Sequence, residues 1–595
     1  MRKHSKISLG VRLSTLVIYT ETVAAKKNLS VMELEATLKR MDEKLDNLSS
    51  IFQKNDRSFR QFSGQAIHDT QGITSSPSNS HPVAFSPTFV SETENPYAIA
   101  TPYLDTGRIM GELSLSERHS TAPQHLLSWP CSSLQMSELE LQYPVNLEIN
   151  RSKHSRSTTP LLFLQSSLMG DTWPSRLSLS QMSLLTQSYF QHFHPSCLVL
   201  DEAVFYRNTL RQAMKTNFAK DFDTCTVLLV CALGSITAYH SGQTEWSSGF
   251  EQDVGIEFFN LANQMFRDLE GANWHSVQCL LLMGMFYSAT VRVYDAWQVI
   301  HRACSTISIL VPLQGALQAQ ECQLFWIAYL HESQILAEFD FPASGLGKLA
   351  SRIPLPLVPG IGADPSYAQY QFFFLALISM RKLLNRIIFH LYSRDYSDDN
   401  QRDVLQSADS PRRPLSAPQY IIDELDRQLE EWRTCLPHGL EFSGYSETQV
   451  EIPELYKCRT TDQRLRGHLM ARYYSAKSSI HRPFIYRTLH CDKVAFLSET
   501  DKSGSKTGVE CGFMSVIHSG ILNEPLPLLL HPINSCRSLF AVELQVAFLL
   551  HIDTLHFALP KEWRLLEEAR NQVATSIAQT SPTVARDGEI LRLLN

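Results

Sequence analysis

Apolar residues recurring every three or four positions from about Ser178 to the C-terminus constrain this chain more than any other feature. Phe258, Leu261, Ala262, Met265, Phe266 and Leu269 make one such stripe. Leu324, Ala328, His331, Ile335 and Phe339 make a second. Ile421, Ile422, Leu425, Leu429, Trp432 and Leu436 make a third, which Pro437 is expected to stop. This spacing gathers side chains on one face of an α-helix. Two-residue alternation is rare, and no clear hairpin signal joins alternating runs. The expected fold class is therefore all-α, a large helical domain over residues 177–595. No fixed-period repeat occurs, so a regular solenoid is not expected. A polar run from Ser393 to Pro414 divides the helical region into two halves.

The N-terminal part reads differently. Residues 1–28 carry no assignable pattern. In residues 29–54, Val31, Leu34, Leu38, Met41, Leu45, Leu48 and Phe52 follow steps of three and four with polar residues between them. That narrow seam predicts a short coiled coil that pairs two chains, because a lone helix this polar gains little from docking on a core. Residues 55–176 are rich in Ser, Thr and Pro, as in TSSPSNSHPVAFSPTF, and predict a disordered linker. Within it, Leu126 to Leu141 could supply a short docking segment.

Composition narrows the function classes. The chain has 595 residues, 44% of them hydrophobic, which is enough for a large core. Its formal net charge of −7 argues against a chain-wide cationic surface for nucleic acid. The 12 cysteines are scattered from Cys131 to Cys536 with no C-x-x-C pair, so no zinc-finger or thioredoxin-type spacing is present. They are expected to act as small core hydrophobes in a reduced, intracellular protein. The apolar runs Val227 to Ala238 and Val277 to Val291 fall short of the ~20 residues a bilayer needs. They predict buried helices and no membrane partner. Arg12 interrupts the apolar part of the first segment and no small-residue cleavage site follows, so no secretory signal is expected.

Several helical segments resemble the regulatory domain of fungal binuclear-zinc-cluster transcription factors. YFQHFHPSCLVLDEAVF (Tyr189 to Phe205) is similar to that family's opening pattern, an aromatic pair followed by His-Pro and an apolar run. LLVCALGSITA (Leu228 to Ala238), SVQCLLLMGMFY (Ser276 to Tyr287) and DAWQVIHRACSTISIL (Asp295 to Leu310) resemble the helices that follow. ECQLFWIAYLHESQILAEFDFPASGL (Glu321 to Leu346) resembles the family's Phe-Trp helix. ELDRQLEEWRTCLP (Glu424 to Pro437) and ARYYSAKSSIHRPFIYR (Ala471 to Arg487) resemble its later helices. Read from the residues alone, Phe325 and Trp326 are core packing. His481, Arg482 and Pro483 read as a helix end, with the cation near the last carbonyls and Pro stopping the helix.

The resemblance implies a nuclear regulator of RNA polymerase II genes, with a metabolic or secondary-metabolite pathway as the expected target class. It also implies a zinc-bearing, DNA-reading module ahead of the coil. No cysteine precedes Cys131, so the zinc ligands are missing from this chain, and a module that small does not fold without its metal. The cations Arg2, Lys3, Lys6, Arg12, Lys26 and Lys27 are too dispersed to replace it. Either the protein lacks the module, or residues 1 to about 25 stand where a true coding start should be. The expected partners are a second copy or a family member paired through the coil, the transcription machinery, and a small-molecule effector. DNA is expected to be reached indirectly or through the missing module.

No catalytic, cofactor-binding or metal residue is expected. Asp398, Asp399 and Asp403 invite comparison with the magnesium-binding aspartates of all-α isoprenoid synthases, yet they fall in a polar run with no second acidic motif downstream. His192 and His194 are two positions apart and do not share a helical face. No G-x-S-x-G elbow, P-loop or G-x-G-x-x-G fingerprint occurs. The reading is a non-enzymatic regulator, with an isoprenoid-synthase-like enzyme or an interaction scaffold as the alternatives.

Overall fold

Asp221 opens one of the most deeply buried helices of the domain. Its Oδ1 accepts the Thr224 backbone N–H at 2.8 Å, satisfying one of the free donors of the first turn. The sequence that follows is apolar on every side, and that requires neighbours on every side. The computed structural model describes residues 115, 119–151, 178–243, 254–269, 271–314, 316–356, 365–393, 418–446, 460–525, 528–529, 531–576 and 581–594. The coiled-coil residues Val31 to Phe52, most of the polar run after Ser393, and Asp398, Asp399 and Asp403 lie outside them.

The long helices are α1 (Leu179–His192), α2 (Phe222–His240), α3 (Ile256–Asp268), α4 (Trp274–Ala289), α5 (Val293–Leu313) and α6 (Ala319–Glu338). After them come α7 (Pro365–Tyr392), α8 (Gln419–Thr434), α9 (Thr461–Leu489), α10 (Glu499–His518), α11 (Pro532–Leu550), α12 (Leu565–Ser576) and α13 (Pro582–Leu594). Among the described residues there is no strand; an isolated bridge links His119 and Ser393. The all-α expectation holds.

Helix α2 packs against α1, α3 and α4. Helices α2 and α11 are long and apolar enough to cross a membrane, but both are mostly buried inside the domain, which accounts for their composition. The second and third stripes form as expected, with Leu324, Ala328, Leu425, Leu429 and Trp432 buried. In α3 the inward ring is Phe259, one position from the expected Phe258; it stacks on Phe286 at 4.3 Å. Helix α8 ends at Thr434, before Pro437.

The most extensive helix contact joins α9 and α10. Gly504, Gly508 and Gly512 recur every four residues along the face of α10 that meets it. A Cβ at Gly504 would lie 2.4 Å from Phe484 Cγ, so only glycine permits this approach. Helix α8 is tied to α9 by Lys477, whose Nζ donates to Asp426 Oδ1 at 2.9 Å and Glu430 Oε1 at 3.0 Å.

Pro483 does not end a helix. It lies inside α9, which continues to Leu489. An internal proline has no N–H for the carbonyl four residues earlier, here that of Ser479. The Tyr392 hydroxyl of α7 donates to that carbonyl instead. Arg482 Nη1 reaches Thr121 O at 3.0 Å, and its guanidinium lies 5.7 Å from the Tyr392 ring centroid. Tertiary partners thus replace what the local sequence takes away.

Residues 119–151 fall within the stretch expected to be a linker, yet here they are packed on the helices. Leu126 and Leu127 are buried, and Trp129 meets Tyr486 edge-on at 5.1 Å between centroids. Residues 143–151 are helical. The segment also meets the end of the chain. Arg537 of α11 is fully buried; its Nη1 donates to Asp587 Oδ2 of α13 at 2.6 Å, and its Nη2 donates to Gln124. Tyr143 donates to the same aspartate, and Thr583 Oγ1 donates to Glu148 Oε1 at 2.8 Å. Few apolar residues carry this docking, and its polar partners sit at the opposite end of the sequence, so periodicity does not announce it.

Candidate functional site

The His-Pro motif after α1 builds one edge of a void. Helix α1 is capped by Ser178, whose Oγ accepts the Gln181 N–H at 3.1 Å, and ends with His192. Pro195 in the turn that follows brings Phe193, Ser196 and Cys197 to the same edge. Helix α6 starts with a capping box in which Glu321 Oε2 accepts the Gln318 N–H at 2.7 Å. Its residues His331 and Gln334, three apart, both line the void. Helix α9 starts with a capping box between Thr460 and Gln463, which places Arg464 one turn in. His531 caps α11, where Pro532 occupies the first turn.

The void measures about 730 Å³, including the part open to solvent. Its walls are largely apolar, with Met285 from α4, Ile327 and Leu330 from α6, and Phe374 and Leu377 from α7. Among the described residues, no Asp or Glu lines it.

The rim and the interior differ in polarity. At the rim, half-buried Arg464 donates through Nη2 to His192 Nδ1 at 3.0 Å. Arginine only donates, so His192 Nδ1 accepts and the proton of the neutral ring sits on Nε2. That Nε2 is buried with no hydrogen-bond partner. Burial, with the Arg464 charge added, lowers the His192 pKa and keeps the ring neutral. Deeper inside, Gln334 is 5% exposed and its Oε1 also has no partner.

A file of imidazoles runs back from the interior. His331 Nε2 lies 3.5 Å from Cys197 Sγ, and its ring meets His531 edge-on at 5.7 Å between centroids. His531 faces His468 at 5.4 Å, and Arg472 Nε donates to His468 Nε2 at 3.5 Å. Burial lowers His331 to about 4 and pushes His468 and His531 well below the usual histidine range. At neutral pH the rings are uncharged, which leaves Arg464 as the formal charge among the lining residues.

This chemistry suits binding better than catalysis. Cys197 and His331 resemble a nucleophile–base pair in composition alone. Burial pushes the Cys197 thiol up to about 12, so the thiolate needed for attack does not form at neutral pH. Among the described residues, no group of three or more His, Cys, Asp or Glu is placed to hold a metal ion. His194 points away from His192's role, since it is buried against Phe190 at 5.1 Å between centroids and held neutral by burial at about 4.

The sequence reading singled out His192, but not Arg464, Gln334, His468 or His531. In the sequence His331 reads as a member of an apolar stripe. One signal was available in the four-residue spacing of Arg464, His468 and Arg472, which puts three nitrogen-bearing side chains on one face of α9.

Residues 186–434, from α1 through α8, match the family model described as the fungal specific transcription factor domain. That stretch is similar to this domain family. The matched stretch runs from within α1 to the end of α8 and carries most of the residues lining the pocket, while Arg464, Leu528, Leu529 and His531 lie beyond it. The chain is also similar to a putative transcription factor of Aspergillus rugulosus, at 26% identity over 342 residues, covering 51% of this chain and 51% of that protein. It thus spans about half the length of the curated relative it matches. No solved structure matches the chain. Neither comparison favours the isoprenoid-synthase alternative.

Proposed function

We propose that this protein is a nuclear, non-enzymatic regulator of RNA polymerase II transcription in a fungus. The observation that carries the reading is the family match of residues 186–434, on helices whose packing leaves a pocket in which burial keeps the Cys197 thiol protonated. In this reading the helical domain is the regulatory part. Val31, Leu34, Leu38, Met41, Leu45, Leu48 and Phe52 pair it with a second copy or with a relative. Residues 1–595 hold no C-x-x-C pair, so contact with DNA through a zinc cluster comes from outside them. A pairing partner that carries the cluster is one such source. Zinc is accordingly not a cofactor of these residues.

The test is a reporter assay with the full chain fused to an unrelated DNA-binding module. The expected result is a several-fold change in transcription, up or down, with the fusion in the nucleus. A reporter indifferent to the fusion would count against the regulator and leave an interaction scaffold. For pairing, co-purification of two differently tagged copies should be lost with Leu38→Pro, since proline breaks a helix interior by about 3 kcal/mol. Equal recovery of wild type and variant would remove the coil from the account.

A further inference from the structure

We propose that the void between α1, α6, α9 and the start of α11 binds a small organic monocarboxylate with an apolar body and a hydroxyl or amide N–H toward its far end. Its use as an effector rests on the regulator reading above; the binding itself does not.

The rim offers donors and the interior offers an acceptor. The Arg464 guanidinium has no carboxylate partner among the described residues, and its one described hydrogen bond goes to a neutral ring. A guanidinium fork that is not paired inside the protein matches a carboxylate in two parallel hydrogen bonds. The Nε2–H of His192, unpartnered beside it, is a further donor to the same anion. Buried polar groups are ordinarily satisfied, and leaving one unmade costs about 1–3 kcal/mol. Gln334 Oε1 therefore calls for a donor that the protein does not supply.

The same inventory excludes other ligand classes. A cation would face Arg464 with no acid among the described residues of the walls. A phosphate monoester carries more charge than one guanidinium balances, because the histidines behind it are held neutral by burial. A wholly apolar ligand would cover Gln334 and His192 without satisfying either. An apolar body is needed in any case to fill the space between Ile327, Leu330, Phe374 and Leu377. Such a ligand would touch α1 and α6 inside the family-matched stretch and α9 and α11 outside it. Occupancy would then brace the two parts of the domain against each other, which is a structural means of coupling binding to regulation.

Calorimetric titration of the full chain at pH 7 tests this with 3-(4-hydroxyphenyl)propanoate and 8-hydroxyoctanoate. The matched primary amides, the acids lacking the hydroxyl, and phosphate esters of the same bodies serve as comparators. At least one hydroxy acid should saturate, about tenfold tighter than its amide. Arg464→Gln should weaken it about tenfold or more, while Arg464→Lys retains part of the affinity. Gln334→Met should abolish the preference for the hydroxyl and leave binding of the parent acid intact. Circular dichroism and melting of each variant establish that it is folded. Absence of saturation by both hydroxy acids at millimolar concentration overturns the proposal. Binding indifferent to Arg464→Gln, or a phosphate ester that binds tighter than its carboxylate, also overturns it. An active reporter with no binding sinks the pocket alone, and binding with a silent reporter sinks the regulator reading alone.

Discussion

Arg537 and Arg464 both place a guanidinium among apolar helices, with opposite surroundings. Arg537 is fully buried and bonded to Asp587 and Gln124, between the rings of Phe339 and Phe540 at 5.8 and 5.3 Å. Burial disfavours its charge, but Asp587 and Tyr143 more than offset this, and its pKa rises above the usual arginine range. Burial pushes Asp587 up as well, and Arg537 pulls it back. Arg464 is half-buried, opens onto a void, and is bonded to a neutral histidine. The difference separates an arginine that holds the fold from one left free to recognise something else. A charge partnered inside the protein holds structure, whereas the Arg464 guanidinium keeps donors that the fold does not use among the described residues.

The comparison breaks most readily at the structural end. Asp587→Ala should destabilise the protein by about 3–5 kcal/mol, because it strands the buried Arg537 charge. Urea unfolding measures it, and a loss below about 1 kcal/mol would mean the two arginines are not different in kind. The double variant Arg537→Met with Asp587→Leu should recover much of the loss, since apolar replacement of both partners removes the stranded charge.

Acid sharpens the pocket side. His331 has its folded pKa depressed to about 4 from an unfolded value near 6.5. Its neutral burial therefore favours folding fully above pH ~6.5, and this advantage is lost as pH falls toward 4. The stability gap between wild type and His331→Asn should narrow by on the order of 3 kcal/mol across that window. The comparison with the variant is needed because Glu543, pushed up to about 8 by burial, acts in the opposite sense. A gap that does not change with pH would remove the neutral imidazole from the account.

Smaller effects are expected from the pocket's own polar groups. Arg464→Gln should cost no more than about 1 kcal/mol, in contrast with the Arg537 pair. Gln334→Met should be neutral or stabilising by a few tenths of a kcal/mol, because it removes an unsatisfied buried acceptor and keeps the volume. A loss of about 2 kcal/mol or more in either would show a structural role instead, read by the same urea titration.

The fold class was legible because helical periodicity is local. The stripes through Leu324 and Leu425 need only their own neighbours to be read. The Pro483 reading failed because the Tyr392 hydroxyl that rescues the helix comes from α7, 87 residues away in sequence. The pocket was hidden for the same reason. His192 and Arg464 are separated by 272 residues, and no local pattern joins them. Gln334 is an ordinary residue in an apolar run until the absence of a partner for its Oε1 gives it meaning. The packing of residues 119–151 was obscured by Ser- and Pro-rich surroundings, although Leu126 to Leu141 carried a trace of it.

The contact of Gln124 and Asp587 with one arginine has a practical side. A fragment cut at residues 186 and 434 would strip α9 from α7 and α8, and α11 from α4 and α6, and expose apolar surface that the intact chain hides. The stretch recognisable by homology is therefore shorter than the stretch able to fold. Expression trials should retain everything from residue 119 to residue 594, or expect aggregates.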